Sequence, residues 1–385
     1  MTAVEDRTDG VDFRLDPDLQ DLQALAGRIL GDRAGVDRVR TVEESEGGFD
    51  ASLWARLADA GLLAVPLPEE LGGAGLGMLG LVALLEQQGR RVAPVPLAEV
   101  LAGAALSIAR FGTPEQQERW LPGIVDGSRL VASALDDTAG TLRAEPSGDG
   151  WRLTGRLASV AAAPVAAAAV VVARTDDGKD VVLLLPLEAA GVSREAVAAT
   201  DRRSSGSVTL DAVEVGPEAR LGEDGAVVAA WARRRLRVAL AAVQLGVCEE
   251  ALAMTAAYVS QRVQFGRPLS TNQAVAVRAA DAYLDTESIR LTTQHAAWLL
   301  DRGDEDAAEP AALVAKHWAS RGGLRVVHAT QHLHGGIGAD VDYPVHRYFL
   351  WGRQGAFSLG SAGATAAELG DLLPSAPPIG DAARP

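Results

Sequence analysis

Cysteine is nearly absent: Cys248 is the only one in 385 residues. A single thiol excludes an intramolecular disulfide and any metal site built on several cysteines. Aromatic residues make up 4% of the chain, while apolar residues make up 48%. The core therefore has to be built from Ala, Val and Leu, packed closely between helices. Positive charge is also short, with 36 Lys and Arg against 51 Asp and Glu, a net charge of −15. That balance excludes an electrostatic nucleic-acid binder, because neutralising phosphates needs a basic face. No long apolar run is present; the stretch 159–173 is mostly Ala and Val but is broken by Pro164, too short and too small-residued to span a membrane. The opening residues MTAVEDRTDG lack the apolar segment of a secretory signal. A soluble cytoplasmic protein is expected. Lys179 and Lys316 are the only lysines, which reads as codon bias.

At roughly 100–200 residues per domain, the length fits two or three domains or one multi-layer subunit. Residues 1–16 are polar and read as a disordered N-terminus. Over 17–125 the pattern is helical. Leu19, Leu22, Leu25, Ile29 and Leu30 recur at three- and four-residue steps as one apolar stripe. Asp50 is the expected N-cap of a helix whose stripe, Leu53, Leu57 and Ala60, stops at Gly61. Pro and Gly make residues 66–75 a loop, and a buried helix is expected over 77–90. Thr113-Pro114 starts another helix, with Pro at the first position. Over 126–222 short β-rich runs alternate with turns: Trp151–Gly155, Val170-Val171-Val172, residues 181–185 and 207–215. Over 223–373 long helices return, at 229–263, 272–302 and 307–333. Residues 374–385 are rich in Pro, Ala and Gly and read as a disordered tail. The expected class is α+β: an N-terminal helical domain, a middle β-barrel-like domain and a C-terminal helical bundle.

Two segments carry candidate chemistry. In the first, Arg262 ends a helix, Phe265-Gly266-Arg267-Pro268 forms a turn, and Ser270 or Thr271 restarts a helix carrying Gln273. This holds at one corner a planar fork for phosphate oxygens, a ring for stacking and an amide for a polar edge. The second is Gln331-His332-Leu333-His334-Gly335-Gly336-Ile337-Gly338, where glycines let backbone N–H groups approach a phosphate. Taken singly, Arg262 reads as a surface ion-pair residue and the glycines as a helix stop. His332, His334 and His346 lack a strong metal spacing, and no metal site is expected.

Taken together, these segments resemble the acyl-CoA dehydrogenase family. The resemblance runs through Leu53-Trp54, Pro68-Glu69-Glu70-Leu71-Gly72-Gly73, Glu86, Gly89-Arg90, Gly112-Thr113-Pro114-Glu115-Gln116 and Leu121-Pro122. It continues in Arg262-x-x-Phe265-Gly266-Arg267-Pro268-Leu269, Gln331-x-x-x-Gly335-Gly336-x-Gly338 and Tyr343-Pro344-x-His346-Arg347. The resemblance implies FAD lying across a subunit interface. Arg262, Phe265, Gln273, Gln331, Gly335 and Gly336 stand where the family holds the adenosine-diphosphate half of the neighbouring subunit's flavin.

The chain departs from the family where a subunit seats its own flavin ring. A Thr-Glu-Pro strand is replaced around Leu135-Asp136-Asp137, and the Gly-Ser-Asp that follows it is missing. The strand covering the ring reads Gly155-Arg156-Leu157-Ala158-Ser159-Val160-Ala161. Ser159 stands at the aromatic position and Ala161 at the hydroxyl position, so the first supplies no stacking area and the second donates no hydroxyl hydrogen bond. Leu359 and Leu236 stand at the family's two positions for the glutamate base, and leucine accepts no proton. The implied role is that of a subunit without catalytic residues of its own. It would complete the FAD site of a catalytic acyl-CoA dehydrogenase partner in an α2β2 heterotetramer. The run Tyr348-Phe349-Leu350-Trp351 resembles actinobacterial members acting on bulky acyl-CoA thioesters, including steroid side chains, with electron-transfer flavoprotein or oxygen as acceptor. Two other readings stand beside it. One is a self-sufficient flavoenzyme drawing its base from Glu249, Glu250 or Glu287, which read more plainly as ion-pair residues. The other is a paralogue that binds an acyl thioester without oxidising it. Arg237 is expected in an ion pair; Cys248, Trp54 and Trp120 are expected in the core.

Overall fold

A computed structural model describes residues 14–135 and 141–373. The expectations for the two ends, and for Asp136-Asp137, fall largely or wholly outside the described residues. The first layer is helical: α1 (Pro17–Arg33), α2 (Val36–Ser45), α3 (Ala51–Asp59), α4 (Gly77–Arg91), a buried π-helical stretch (Ala98–Ala105) running into α5 (Leu106–Phe111), and α6 (Pro114–Val125). Local signals set their starts. Asp16 accepts from the Leu19 N–H, and Pro17 occupies the first position of α1. Asp50 accepts from the N–H groups of Ser52 and Leu53 and is held from α2 by Arg38 at 2.7–2.8 Å. Thr113 and Gln116 form a reciprocal capping box on α6. The Gln116 amide also donates to the carbonyls of Glu218 and Arg220, at 2.7 and 3.0 Å, which ties this layer to the sheet.

The sheet comprises β1 (Val131–Ala134), β2 (Leu142–Ser147), β3 (Gly150–Ala161), β4 (Ala168–Thr175), β5 (Asp180–Pro186), β6 (Val192–Ala196) and β7 (Ser205–Val215). Its order is β1-β4-β2-β3-β7-β6, with β5 also on β4. β1 and β2 run parallel to β4, and the other pairs are antiparallel. Register shifts in the β3–β7 pair, between Leu153 and Gly155 and between Leu157 and Val160, curl the sheet. Sequence reading missed three strands. β1 is buried along its whole length and so shows no alternation; β2 contains Pro146, and β6 is a partly exposed edge.

The last layer holds α7 (Gly225–Gln261), a two-stranded hairpin of β8 (Val263–Gln264) and β9 (Arg267–Pro268), α8 (Gln273–Asp301), α9 (Glu305–His334), α10 (Val345–Phe357) and α11 (Ala362–Leu372). Asn272 caps α8, its side chain accepting from the Ala274 N–H. The restart expected at Ser270 or Thr271 is instead a 3-10 turn, Leu269–Thr271. By length and composition α7 is apolar enough to cross a membrane, but it is mostly buried here, as the core helix of a soluble fold. Cys248, Trp54 and Trp120 lie in the core as expected.

α7 and α4 cross with their backbones in contact. A Cβ on Gly246 would stand 1.9 Å from the Glu86 carbonyl oxygen, and one on Gly89 would stand 2.1 Å from that of Val243. Gly246→Ala is therefore expected to destabilise by about 2–3 kcal/mol through forced separation of the helices. Gly370→Ala, on exposed α11 with open space around it, is expected to stabilise by about 0.5–1 kcal/mol. Urea unfolding of the two variants checks both signs.

Candidate functional site

Leu236 and Leu359, from α7 and from the turn after α10, line one cavity of about 230 Å³ together with Ser159 and Ala161 of β3. The fold thus brings together four of the positions at which the sequence was expected to depart from the family it resembles. The Ser159 hydroxyl is tied to that of Ser205 at 2.8 Å. Leu359 has a φ of +53°, an unusual conformation for a leucine. Its turn is held from behind by Lys316, which is fully buried and donates to the carbonyls of Gly360 and Gly355 at 2.8 and 3.2 Å. The neighbouring Arg237 makes the expected ion pair, forked onto Glu368 at 2.6 and 2.9 Å.

Among the described residues, the carboxylates lining this cavity are Glu99 and Asp201. Both are bound by Arg203, at 3.0 and 2.8 Å, and its guanidinium lies 5.0 Å from the centre of the Trp351 ring. The two carboxylates hold the Arg203 proton more tightly, against the cost of its burial. Paired in this way, both carboxylates meet one buried cation. Sequence reading passed over this triad. The available signal was Glu99 itself, a lone charge in the apolar run 97–106. In the π-helical stretch its carbonyl accepts from the Ser133 hydroxyl at 2.9 Å.

The second group sits at the opposite end of α7. Phe265 and Gly266 both have positive φ, at 56° and 79°, which is the two-residue turn that closes a tight hairpin. This turn lifts Phe265 to 94% exposure. Arg262, Gln273, Gly335 and Gly336 are exposed and Gln331 is half-buried, its amide donating to the Gly338 carbonyl at 3.0 Å. The Tyr258 ring, one turn before Arg262, stacks on His334 with centroids 4.7 Å apart. That stack joins the hairpin to the Gly335 turn. Gln273 opens an adjoining groove of about 1130 Å³ along α8 and α9, lined by Val277, Leu284, Arg325 and His328. Twenty-six residues of continuous helix separate Leu236 from Arg262, a distance of about 39 Å at 1.5 Å per residue.

Glu249, Glu250 and Glu287 are not part of the cavity wall. They form a charge cluster with Arg90, Arg91 and Arg290 between α4, α7 and α8. Glu86 is buried in the same cluster and accepts from the Gln23 amide at 3.1 Å. Among the described residues, no group of three His, Cys, Asp or Glu is placed to hold a metal ion.

A model of the acyl-CoA dehydrogenase N-terminal domain matches residues 16–128, and one of the acyl-CoA dehydrogenase C-terminal domain matches residues 223–366. The chain is 39% identical to acyl-CoA dehydrogenase FadE27 of Mycobacterium tuberculosis, over 95% of this chain and 100% of that protein. The chain belongs to the acyl-CoA dehydrogenase family. Its helical, curled-sheet and helical layers are that family's fold. Two solved structures are similar over nearly the whole length. One is a chain of the Tcur3481-Tcur3483 steroid ACAD, 49% identical with a TM-score of 0.87 over 93% of this chain and 98% of that one. The other is a chain of the ChsE4-ChsE5 complex from Mycobacterium tuberculosis, 40% identical with a TM-score of 0.90 over 95% and 100%.

Burial and the neighbouring Glu249 carboxylate raise Glu86 well above the ordinary carboxylate range, to about 8, against the pull of Arg290 and Arg90. The folded state therefore holds this proton more tightly than the unfolded chain. The stability it contributes is complete below the ordinary glutamate range and is lost as pH rises toward about 8. Urea unfolding from about pH 5 to about pH 8.5 is expected to show that decline, and Glu86→Gln is expected to flatten it.

Proposed function

We propose that this chain is the subunit of a heteromeric acyl-CoA dehydrogenase that lacks its own flavin-ring seat and base and completes the FAD site of a catalytic partner. The observation that carries this reading is the separation of about 39 Å along α7. A hairpin at Arg262 lies too far along α7 to reach the cavity at Leu236 in the same subunit, which supports a role for it toward another chain. The two ends differ in the same sense. The cavity end offers two leucines, a self-bonded serine and a paired ion triad; the hairpin end offers an exposed phenylalanine, arginine and glycine turn.

The residues fit FAD at one end only. At the hairpin, Arg262 supplies a charge-assisted fork for phosphate oxygens, Phe265 a face for the adenine, and Gly335 and Gly336 backbone N–H groups. Gln273 and Gln331 supply amides. At the cavity, Ser159 supplies no aromatic face, its hydroxyl being tied to Ser205, and Ala161 supplies no hydroxyl, so the residues present do not fit the isoalloxazine. FAD, when bound, supplies the hydride acceptor of the α,β-desaturation, and the acyl-CoA gives up its α-proton to a carboxylate of the partner. This chain binds and orients the nucleotide half of the cofactor. It also covers the partner in the proposed α2β2 heterotetramer, and similarity to a chain of the Tcur3481-Tcur3483 steroid ACAD supports a bulky or steroid-derived acyl group as substrate. Electron-transfer flavoprotein is the proposed acceptor.

The test is expression with and without the partner dehydrogenase. The chain alone is expected to be colourless and inactive, and the complex to carry one FAD per pair. Arg262→Ala in the complex is expected to weaken FAD retention about tenfold or more, through loss of a charge-assisted contact. A chain that purifies alone with stoichiometric FAD and desaturates an acyl-CoA overturns the proposal. Leu359→Glu buries an unpaired carboxylate in a leucine-lined wall. It is expected to lower the melting temperature of the complex without adding a second active site, as a count of FAD and turnover per complex will show.

A further inference from the structure

A third cavity, of about 100 Å³, lies between the α1–α2 turn, the end of α4 and the start of α10, and shares no residue with the cofactor arm. Its walls include Gly35, Val36, Arg91, Val92, Arg347 and Tyr348. Three independent features of that wall favour negative charge. α2 starts at Gly35 with no side-chain cap, although it is a helix of 10 residues. Its first-turn N–H groups thus lack a side-chain cap, and the acid in that turn is Asp37, which is exposed. Arg347 is 2% exposed, and its Nη1 is cut off from solvent without a hydrogen-bond partner. A buried guanidinium donor left unpaired carries the full desolvation cost of that group. Arg91 adds a second guanidinium, packed over Gly31, where a Cβ would stand 3.7 Å from its Nε.

The nearby carboxylates are shared. Glu43 accepts from the Arg347 Nε at 3.1 and 3.2 Å and also from Arg202 at 3.4 Å. Glu250 is divided between Arg90 at 3.4 Å and Arg91 at 3.6 Å. Asp37, in the first turn of α2, is exposed and not part of the wall. Each of these two acids is thus shared, so neither Arg347 nor Arg91 has a carboxylate to itself in a chain of net charge −15. The volume holds several waters or one tetrahedral oxyanion and excludes a nucleotide.

We propose that this cavity binds one small oxyanion of the phosphate class, held by the first turn of α2, Arg347 and Arg91. The anion would join the N-terminal helices to α10. Helix N-termini with adjoining guanidinium groups are built for this ligand.

The probe is inorganic phosphate, titrated into the full chain in complex with its partner by isothermal calorimetry, with chloride keeping ionic strength constant. One saturable site per chain is expected. Arg91→Gln, at a side chain 42% exposed and so tolerant of change, is expected to weaken binding about tenfold. Arg347→Lys keeps the charge but loses the fork, and is expected to weaken it at least as much. Arg40→Gln, at an arginine paired with Asp342 and outside the wall, is expected to leave it unchanged. Absence of saturable binding at millimolar phosphate overturns the proposal, as does an equal loss in the Arg40 variant, which would reveal general surface charge. If Arg347→Lys fails to fold, the Arg91 and Arg40 variants decide the matter alone.

Discussion

The contact on which the rest of the molecule depends is the backbone-to-backbone crossing of α4 and α7. With few aromatics to fill space, the core is packed by bringing helices close, and glycine is the residue that permits it. Gly89 and Gly246 face the opposite helix at distances where no side chain fits, and Gly352 does the same against Val327. The crossing fixes α7, and α7 in turn places one leucine of the cavity near its start and the cofactor hairpin at its end. The same rigid rod that builds the core therefore sets the distance between the two ends, which is the distance on which the proposed division of the cofactor site between chains rests.

Charge is organised on the same local scale. The net charge of −15 opposes any anionic ligand at long range, and FAD and CoA are both polyanions. The excess of acid is partly spent inside the fold, where Arg203, Arg235, Arg237, Arg290 and Arg347 are each met by carboxylates. Such pairs hold layers together without creating a positive field. Positive potential for a ligand survives only where geometry leaves guanidinium groups or helix N-termini incompletely neutralised. The exposed hairpin and the small cavity at α2 are such places.

The cavity end illustrates how a site is closed without being erased. In the proposed reading, the wall keeps its frame, including the turn held by Lys316, while leucine, serine and alanine line it and Glu99, Asp201 and Arg203 are paired with one another. Burial of an arginine with two carboxylates is stable only if all three remain together, so the triad fixes this region structurally.

The sequence by itself determined the helix starts, because capping is local. Asp16, Asp50 and Thr113 each bond to the first turn of their own helix, and Phe265-Gly266 closes its own hairpin. The α–β–α layering was legible for the same reason, through apolar periodicity. The proposed cofactor arm and the proposed role of the two leucines rest only on the spacing of family motifs. Tertiary structure decided the rest. β1 is buried along its length and pairs in parallel with a distant strand, so no alternation marked it. Glu99, Asp201 and Arg203 come from separate segments and meet only when sheet and helices pack. The positions 236 and 359 lie far apart in sequence, and only the folded chain sets them on one wall. Whether Arg262 could reach that wall was a question of length along a single helix. A sequence records which residues are present; how far apart a continuous, buried helix holds them is a property of the fold.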